Sequence, residues 1–186
     1  MKQKLFLDFD SVIVDSVTAY TDTYNELYIN KKGFIPADPE LNKHWDFNEI
    51  CPLEKNPLNI FSHPLFFKFV EFMPNAENVI QKLNNKYQII ICSLGCYINI
   101  ARKAKWIKDN MPYIKDAILL TNQGIKMDKG IVNMNYPGSI FIDDVKSNLD
   151  SSNAERKILF GSRFDWNSEW TGEWGRDWSE VGERLL

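Results

Sequence analysis

The chain has 186 residues, 44% of them hydrophobic, which predicts one domain with room for a modest insertion. Its formal net charge of -3 excludes a broad basic surface for polymeric nucleic acid, although a local basic pocket could still bind a small anion. The sequence contains no apolar run long enough for a signal peptide or a membrane span, and its three cysteines lack metal-ligand spacing. A cytoplasmic protein with reduced, structural thiols is therefore expected.

Five short apolar runs each end at a polar or charged residue, as buried parallel strands do when they deliver side chains to one edge of a sheet. In chain order, the predicted strands are Lys4 to Asp8, Gln88 to Ser93, Ala117 to Thr121, Ser139 to Asp143 and Arg156 to Gly161. Helix-like stretches separate most of these runs. The alternation predicts an α/β fold.

The chain between the first two predicted strands is too long for a simple crossover and predicts a small, mainly helical cap over residues 16–72. A helical pattern runs from about Ser16 to Lys31, and an aromatic-rich segment follows from His44 to Phe72. The motif Met73-Pro74-Asn75-Ala76 then predicts the start of a helix that returns the chain to the core. The remaining residues, 1–15 and 73–186, form the predicted core.

Two acids, Asp8 and Asp10, mark the end of the first strand, and extended geometry would place their side chains on one face. One carboxylate could attack phosphorus while a metal screens the charge repulsion. The other could protonate the leaving oxygen and later activate water. Aspartates at a strand end also commonly cap backbone amides in turns, so this pair alone leaves both interpretations open.

Three later positions offer complementary polar groups. Asp143 and Asp144 end the fourth strand and could supply oxygen ligands for magnesium, or they could cap the following helix. Ser93 ends the second strand, where its hydroxyl could bind phosphate or cap a helix. Lys129 could neutralise phosphate and the nucleophile, although a lone surface lysine is far commoner than a catalytic one.

Together, in this order, these elements resemble the haloacid dehalogenase-like phosphohydrolase superfamily: Asp8-Phe9-Asp10-Ser11-Val12, Ser93, Lys129 and Asp143-Asp144. The resemblance implies a Rossmann-like parallel sheet of order 5-4-1-2-3, flanked by helices. It implies Asp8 as the nucleophile, Asp10 as the acid/base, and Ser93 and Lys129 as phosphate-binding groups, with Lys129 also catalytic. It further implies Mg²⁺ held by Asp8, by the backbone carbonyl of Asp10 and by the acid pair, with Asp144 favoured as the direct ligand and Asp143 close behind.

The sequence is also similar to the 5′(3′)-deoxyribonucleotidases, through Ile91-Cys92-Ser93, Asp128-Lys129-Gly130-Ile131-Val132, Phe141-Ile142-Asp143-Asp144 and Lys157-Ile158-Leu159-Phe160. This resemblance implies a nucleoside monophosphate as the small-molecule partner, a helical cap over the phosphate site, and a possible homodimer. It also implies aromatic side chains that hold the base. By position these are Phe66 and Phe67, with Trp45 a weaker addition, and core packing explains any one of them at least as well.

The sequence departs from this pattern at two places. Ser11 stands where a glycine commonly follows the second aspartate, which alters the flexibility of the turn without removing a reactive group. The segment Leu94-Gly95-Cys96-Tyr97 lacks the hydroxyl and the lysine that the nucleotidases usually place after the second motif, which leaves the phosphate and sugar contacts open.

Two other functions stay open at this point. The core motifs identify phosphoryl chemistry better than the leaving group, so another metabolite such as a sugar phosphate is an alternative substrate. The chain could also be a catalytically weak binding protein that uses its tryptophan-rich tail, Trp166, Trp170, Trp174 and Trp178, to contact a partner. Core or interface packing is the preferred interpretation of these tryptophans.

Overall fold

A parallel sheet forms the centre of the protein, for which a computed structural model describes residues 2–121 and 128–186. Within these residues the sheet has six strands in the order β3-β2-β1-β4-β5-β6. They are β1 (Gln3–Leu7), β2 (Tyr87–Gly95), β3 (Asp116–Thr121), β4 (Ile140–Asp143), β5 (Arg156–Phe160) and β6 (Glu173–Gly175). The predicted order 5-4-1-2-3 is confirmed when this sheet is read from β5 to β3, and β6 adds an edge strand that the sequence analysis missed.

Helices flank the sheet and connect its strands, which gives the expected Rossmann-like α/β fold. They are α1 (Ser16–Tyr28), α2 (Pro57–Phe61), α3 (Phe66–Phe69), α4 (Ala76–Lys86), α5 (Tyr97–Asn110), α6 (Lys146–Ser151) and α7 (Trp178–Leu185). The predicted return helix is confirmed as α4, which buries Val79, Ile80 and Leu83 on one face. In the part of the chain that the structure describes, every helix is too short or too polar to cross a bilayer.

The segment between β1 and α4 leaves and rejoins the core at neighbouring points. Val14 and Phe72 form an antiparallel bridge. The Met73 amide donates a hydrogen bond of 2.9 Å to the carbonyl of Ile13. This is the geometry that an inserted cap requires, and the cap boundaries at residues 16 and 72 stay a prediction.

Aromatic packing joins the helices of this segment to one another. Tyr20 of α1 stacks on Phe47 with ring centroids 3.9 Å apart, and Phe61 packs against Phe66 at 5.3 Å. The buried rings belong to the same hydrophobic cluster as Leu5 and Leu7 of β1. The segment therefore shares one hydrophobic core with the sheet.

The tryptophans of the C-terminal region pack against the core. Trp178 is fully buried, and its indole nitrogen donates a 2.7 Å hydrogen bond to the carbonyl of Val12. The half-buried Trp174 and Trp170 donate to the carbonyls of Gly161 and Glu173, at 2.7 and 2.8 Å. Because each indole has an internal partner, these contacts support the packing interpretation over a docking surface.

Candidate active site

The carboxyl ends of β1 and β4 bring three acids together. Asp8 directly follows β1, and its amide donates a 3.0 Å hydrogen bond to the carbonyl of Ile142 in the adjacent β4. Asp143 and Asp144 stand at the end of β4, and each of the three aspartates offers an oxygen within 4.8 Å of the other two. The structure thus brings together Asp8, Asp143 and Asp144, as the strand-end pattern predicts.

Lys129 lies between two of these acids. Its side chain is almost completely buried, and its ammonium group is 2.6 Å from Asp8 Oδ1 and 2.6 Å from Asp143 Oδ2. Burial lowers the pKa of Lys129, but the charges of Asp143 and Asp8 more than offset this effect, so the net pKa is raised. Lys129 is therefore a permanent buried cation beside Asp8.

The two acids of the pair have different surroundings. The Asp143 carboxylate is fully buried and accepts hydrogen bonds from Lys129, from the amide of Val145 at 2.8 Å and from the amide group of Asn148. Burial raises the pKa of Asp143 to about 6, against the lowering effect of the Lys129 charge. Asp144 instead faces the cavity above the sheet edge, and its Oδ2 accepts one bond, from Trp166 at 3.2 Å. Asp144 is thus the acid with an oxygen left for a ligand.

The charge balance of the cluster favours a bound cation. Among the residues the structure describes, Asp8, Asp10, Asp143 and Asp144 face only two buried ammonium groups, those of Lys103 and Lys129. Burial, followed by the charges of Asp143 and Asp8, raises the pKa of Asp144 well above its usual range. A divalent cation would compensate the negative charge that these two ammonium groups leave, and carboxylate oxygens are the ligands that Mg²⁺ prefers. The donor set therefore fits magnesium.

A second buried lysine, which the sequence analysis missed, holds Asp10 and Ser93. Lys103 of α5 has only 1% of its surface exposed. Its ammonium group forms an ion pair with Asp10 Oδ2, lies 3.0 Å from Ser93 Oγ and donates to the carbonyl of Leu94 at 3.3 Å. Burial raises the pKa of Asp10, while the positive charge of Lys103 lowers it.

Lys103 brings to Ser93 an ammonium group that the segment Leu94-Gly95-Cys96-Tyr97 lacks. Helix α5 buries Asn99, Ile100, Lys103, Trp106 and Ile107, which lie on one face at helical spacing. Lys103 is thus a lysine in an apolar stripe, and this periodicity was the signal that could have identified it. The ammonium group is thus carried by a residue about two turns into α5, and not by the segment that directly follows Ser93.

Ser93 itself is fully buried, and its hydroxyl is bound to Lys103. The cavity wall is formed by the next residues, Leu94, Gly95 and Cys96. Cys96 is the N-cap of α5, yet its side chain caps no amide, and the first turn of α5 carries no acid. The first amides of α5 therefore have no side-chain cap, and a helix N-terminus of this kind attracts anions.

Ser11 occupies the turn after Asp10 in an unusual backbone conformation. Its φ angle of 56° lies in the left-handed region, which glycine adopts without the steric cost that a side chain imposes. The Ser11 hydroxyl lies 2.9 Å from that of Ser16, at the start of α1. The turn keeps a glycine-like geometry despite the substitution.

A cavity of about 490 Å³ opens above the acids, and aromatic side chains form part of its wall. Trp45, Phe47 and Phe61 line it, together with Asp8, Asp10, Lys103, Lys129 and Asp144. Phe66 and Phe67 do not. Phe66 lies on the buried face of α3 with no exposed surface, and Phe67 packs against the hydrophobic cluster. Of the three aromatics carried over from the resemblance, only Trp45 is brought to the site, and Phe47 and Phe61 take the place expected for the other two.

Comparison with protein families and with individual proteins identifies relatives of this chain. The family model for "5' nucleotidase, deoxy (Pyrimidine), cytosolic type C protein" matches residues 2–185. A 5'(3')-deoxyribonucleotidase from Clostridium acetobutylicum is 30% identical over 163 residues, which cover 86% of this chain and 82% of that protein. The match therefore includes both the sheet and the segment inserted after β1.

Solved structures share the fold. A predicted phosphatase from Clostridium acetobutylicum superposes with a TM-score of 0.68 at 11% identity, covering 100% of this chain and 99% of that one. YfnB from Bacillus subtilis, solved bound to magnesium, gives a TM-score of 0.59 at 12% identity over 99% and 98% of the two chains. At these identities the likeness shows a common architecture.

Proposed function

Since the chain belongs to the cytosolic type C family of deoxy (pyrimidine) 5' nucleotidases, and so is a phosphoric monoester hydrolase, we propose that it hydrolyses 5′(3′)-deoxyribonucleotides with Mg²⁺. The observation that carries this proposal is the placement of Asp8. It lies beside a buried lysine and two further acids, at the base of a cavity with aromatic walls. Phosphoryl chemistry needs such a group of charges, and a base needs such walls.

In the proposed reaction, a carboxylate oxygen of Asp8 attacks phosphorus, and the bond from phosphorus to the leaving oxygen breaks. Asp10, protonated at the start, gives its proton to that oxygen, so the nucleoside departs as an alcohol. Asp10 then takes a proton from a water molecule that attacks the aspartyl-phosphate. Inorganic phosphate leaves, Asp8 is again a free carboxylate, and Asp10 is again protonated.

Burial supports the acid role of Asp10, because desolvation raises the pKa of its carboxyl group. The ammonium group of Lys129, 2.6 Å from Asp8 Oδ1, would reduce the repulsion between the Asp8 carboxylate and the phosphate. The metal would be held by Asp8, Asp144 and the backbone carbonyl of Asp10, with Asp143 behind them. When bound, Mg²⁺ would neutralise charge on the phosphoryl oxygens.

We further propose that the phosphate is bound by Lys103, Lys129 and the amides at the start of α5. Both lysines line the cavity, and the helix end carries no competing acid. Ser93 would act mainly through its contact with Lys103, because its hydroxyl is buried against that ammonium group. Two fixed cations and a helix N-terminus are a suitable site for a dianion.

Residues 16–72 would serve as the cap that recognises the base. Trp45 is half exposed in the cavity wall and packs against Phe61 at 5.6 Å. Phe47, two residues on, holds a φ angle of 56°, which is rare for a bulky residue and fixes the shape of this loop. The homodimer implied by the family resemblance stays a prediction.

Replacing Trp45 with Ala should raise KM for a deoxyribonucleotide about fivefold or more, because stacking of a base on an aromatic ring contributes about 1–3 kcal/mol. The kcat value should change little, since the interaction is the same in the ground and transition states. Steady-state kinetics measures both constants. Leu41→Ala, which removes another exposed apolar side chain of the cap from outside the cavity lining, is the matched control. An unchanged KM in Trp45→Ala would remove this residue from the base site.

The proposed function as a whole is tested with the purified chain and a panel of phosphate esters. With MgCl₂, release of inorganic phosphate should show a higher kcat/KM for deoxyribonucleoside monophosphates than for sugar phosphates. A chelator should abolish the activity, and added MgCl₂ should restore it. Equal or higher kcat/KM with a sugar phosphate would instead favour the second candidate substrate. Activity that persists in the presence of the chelator would contradict the proposed dependence on Mg²⁺.

A further inference from the structure

The loop between β5 and β6, residues 161–172, contacts the metal-ligand candidate Asp144 at two atoms. The indole nitrogen of Trp166 donates to Asp144 Oδ2 at 3.2 Å. The side-chain amide of the next residue, Asn167, donates to the backbone carbonyl of Asp144 at 3.1 Å. One dipeptide of this loop therefore holds both the side chain and the main chain of Asp144.

The loop itself is built around Asn167, which is completely buried. Its side-chain amide also donates a hydrogen bond of 3.1 Å to the backbone carbonyl of Ser162. Its side-chain oxygen Oδ1 accepts a hydrogen bond of 2.9 Å from the backbone amide of Phe164. Trp166 stacks on Phe164 with ring centroids 4.3 Å apart and an angle of 10° between the planes. These contacts fix the plane of the indole, and with it the direction of the N–H bond toward Asp144.

The two oxygens of the Asp144 carboxylate therefore have different surroundings. With Oδ2 engaged by Trp166, Oδ1 accepts no hydrogen bond from the residues that the structure describes. A carboxylate fixed in this way loses less rotational freedom when it binds a cation, because its orientation is already set. Asp143, by contrast, has both oxygens engaged by Lys129, Val145 and Asn148.

We propose that Trp166, held in place by Asn167, is a positioning residue that orients the carboxylate of Asp144 for Mg²⁺ and thereby sets the metal affinity of the site. The inference rests on the metal site of the proposed function. It assigns part of the tryptophan-rich region to the active site, since Trp166 also lines the cavity. The neighbouring tryptophan Trp170 donates to the carbonyl of Glu173 and makes no such contact.

The test measures binding of the metal alone, without substrate. Protein freed of metal by a chelator is titrated with MgCl₂, and the rise in the midpoint of thermal unfolding gives Kd through linkage. In Trp166→Phe, which keeps an aromatic ring and loses the donor, Kd should rise about tenfold, as for other groups that orient a metal ligand. Trp170→Phe is the matched control and should bind like the wild type.

Each result separates this inference from its premise. If the wild type binds Mg²⁺ and Trp166→Phe binds it equally well, or Trp170→Phe weakens binding as much, the positioning role is overturned while the metal site stands. If the wild type itself shows no shift with MgCl₂, the metal part of the proposed function fails, and this inference fails with it. Should Trp166→Phe not fold, Trp166→Leu offers a second apolar side chain without a donor, and the same tenfold rise is expected.

Discussion

Asp8→Asn should lower phosphatase turnover by about 10⁴-fold or more, the scale seen when a hydrolase loses its covalent nucleophile. The amide has nearly the shape of the carboxylate, so the packing around the side chain should survive. Its oxygen carries no negative charge, however, and is a poor nucleophile toward phosphorus. Steady-state phosphate release with MgCl₂ measures the loss.

The control for this substitution is Asp109→Asn, which removes an exposed carboxylate that pairs with Lys105 on the outer surface of α5. It should turn over like the wild type. A second readout is covalent: acid-quenched wild type incubated with substrate should carry one phosphoryl group on the peptide that contains Asp8. Wild-type turnover in Asp8→Asn would refute the nucleophile assignment.

Lys103→Met should reduce kcat/KM by about 10²–10³-fold, the usual cost of losing one preorganised electrostatic contact in an active site. Methionine fills a similar volume on the apolar face of α5, but it leaves Asp10 and Ser93 without their shared ammonium group. Lys105→Met is the matched control, since Lys105 lies two residues along the same helix with its side chain largely exposed. Thermal unfolding of the two variants checks that both are folded.

The pH profile of Lys103→Met separates loss of phosphate binding from a change at Asp10. In the proposed reaction kcat/KM requires protonated Asp10, so activity falls as pH rises through the pKa of this group. The charge of Lys103 lowers that pKa. Its removal should therefore raise the pKa and move the basic limb of the kcat/KM profile to higher pH. A basic limb that stays in place or moves to lower pH would contradict the coupling between the two residues.

The sheet edge could be predicted from sequence because its signals are local. Asp8 and Asp143 each end a short buried run, and parallel strands present their carboxyl ends at one edge, so adjacent strands suffice to bring the acids together. The place of Lys103 in the site could not be predicted from such a local signal. It stands ten positions after Ser93 in the chain, and only the helical face that it shares with Ile100 and Ile107 marks it as buried.

The aromatic contacts of the segment over residues 16–72 were predicted less well than the acids at the sheet edge, because of the composition of this segment. Its sequence is rich in aromatic residues, and each of them is apolar enough either to pack inside or to line a cavity. Phe66 and Phe61 lie close together in the chain and touch in the fold, yet only Phe61 faces the site. That choice depends on how α2 and α3 pack against α1 and against each other, which local sequence patterns do not encode.

The hydrogen bond between Trp178 and the carbonyl of Val12 joins residues that lie 166 positions apart in the chain. Closing so large a loop costs conformational entropy, which the burial of the indole in the core offsets. The turn after Asp10 therefore receives its buried indole donor only when α7 has docked. Local unfolding of α7 would release this turn, so the geometry beside Asp8 and Asp10 depends on a helix that lies outside the cavity lining.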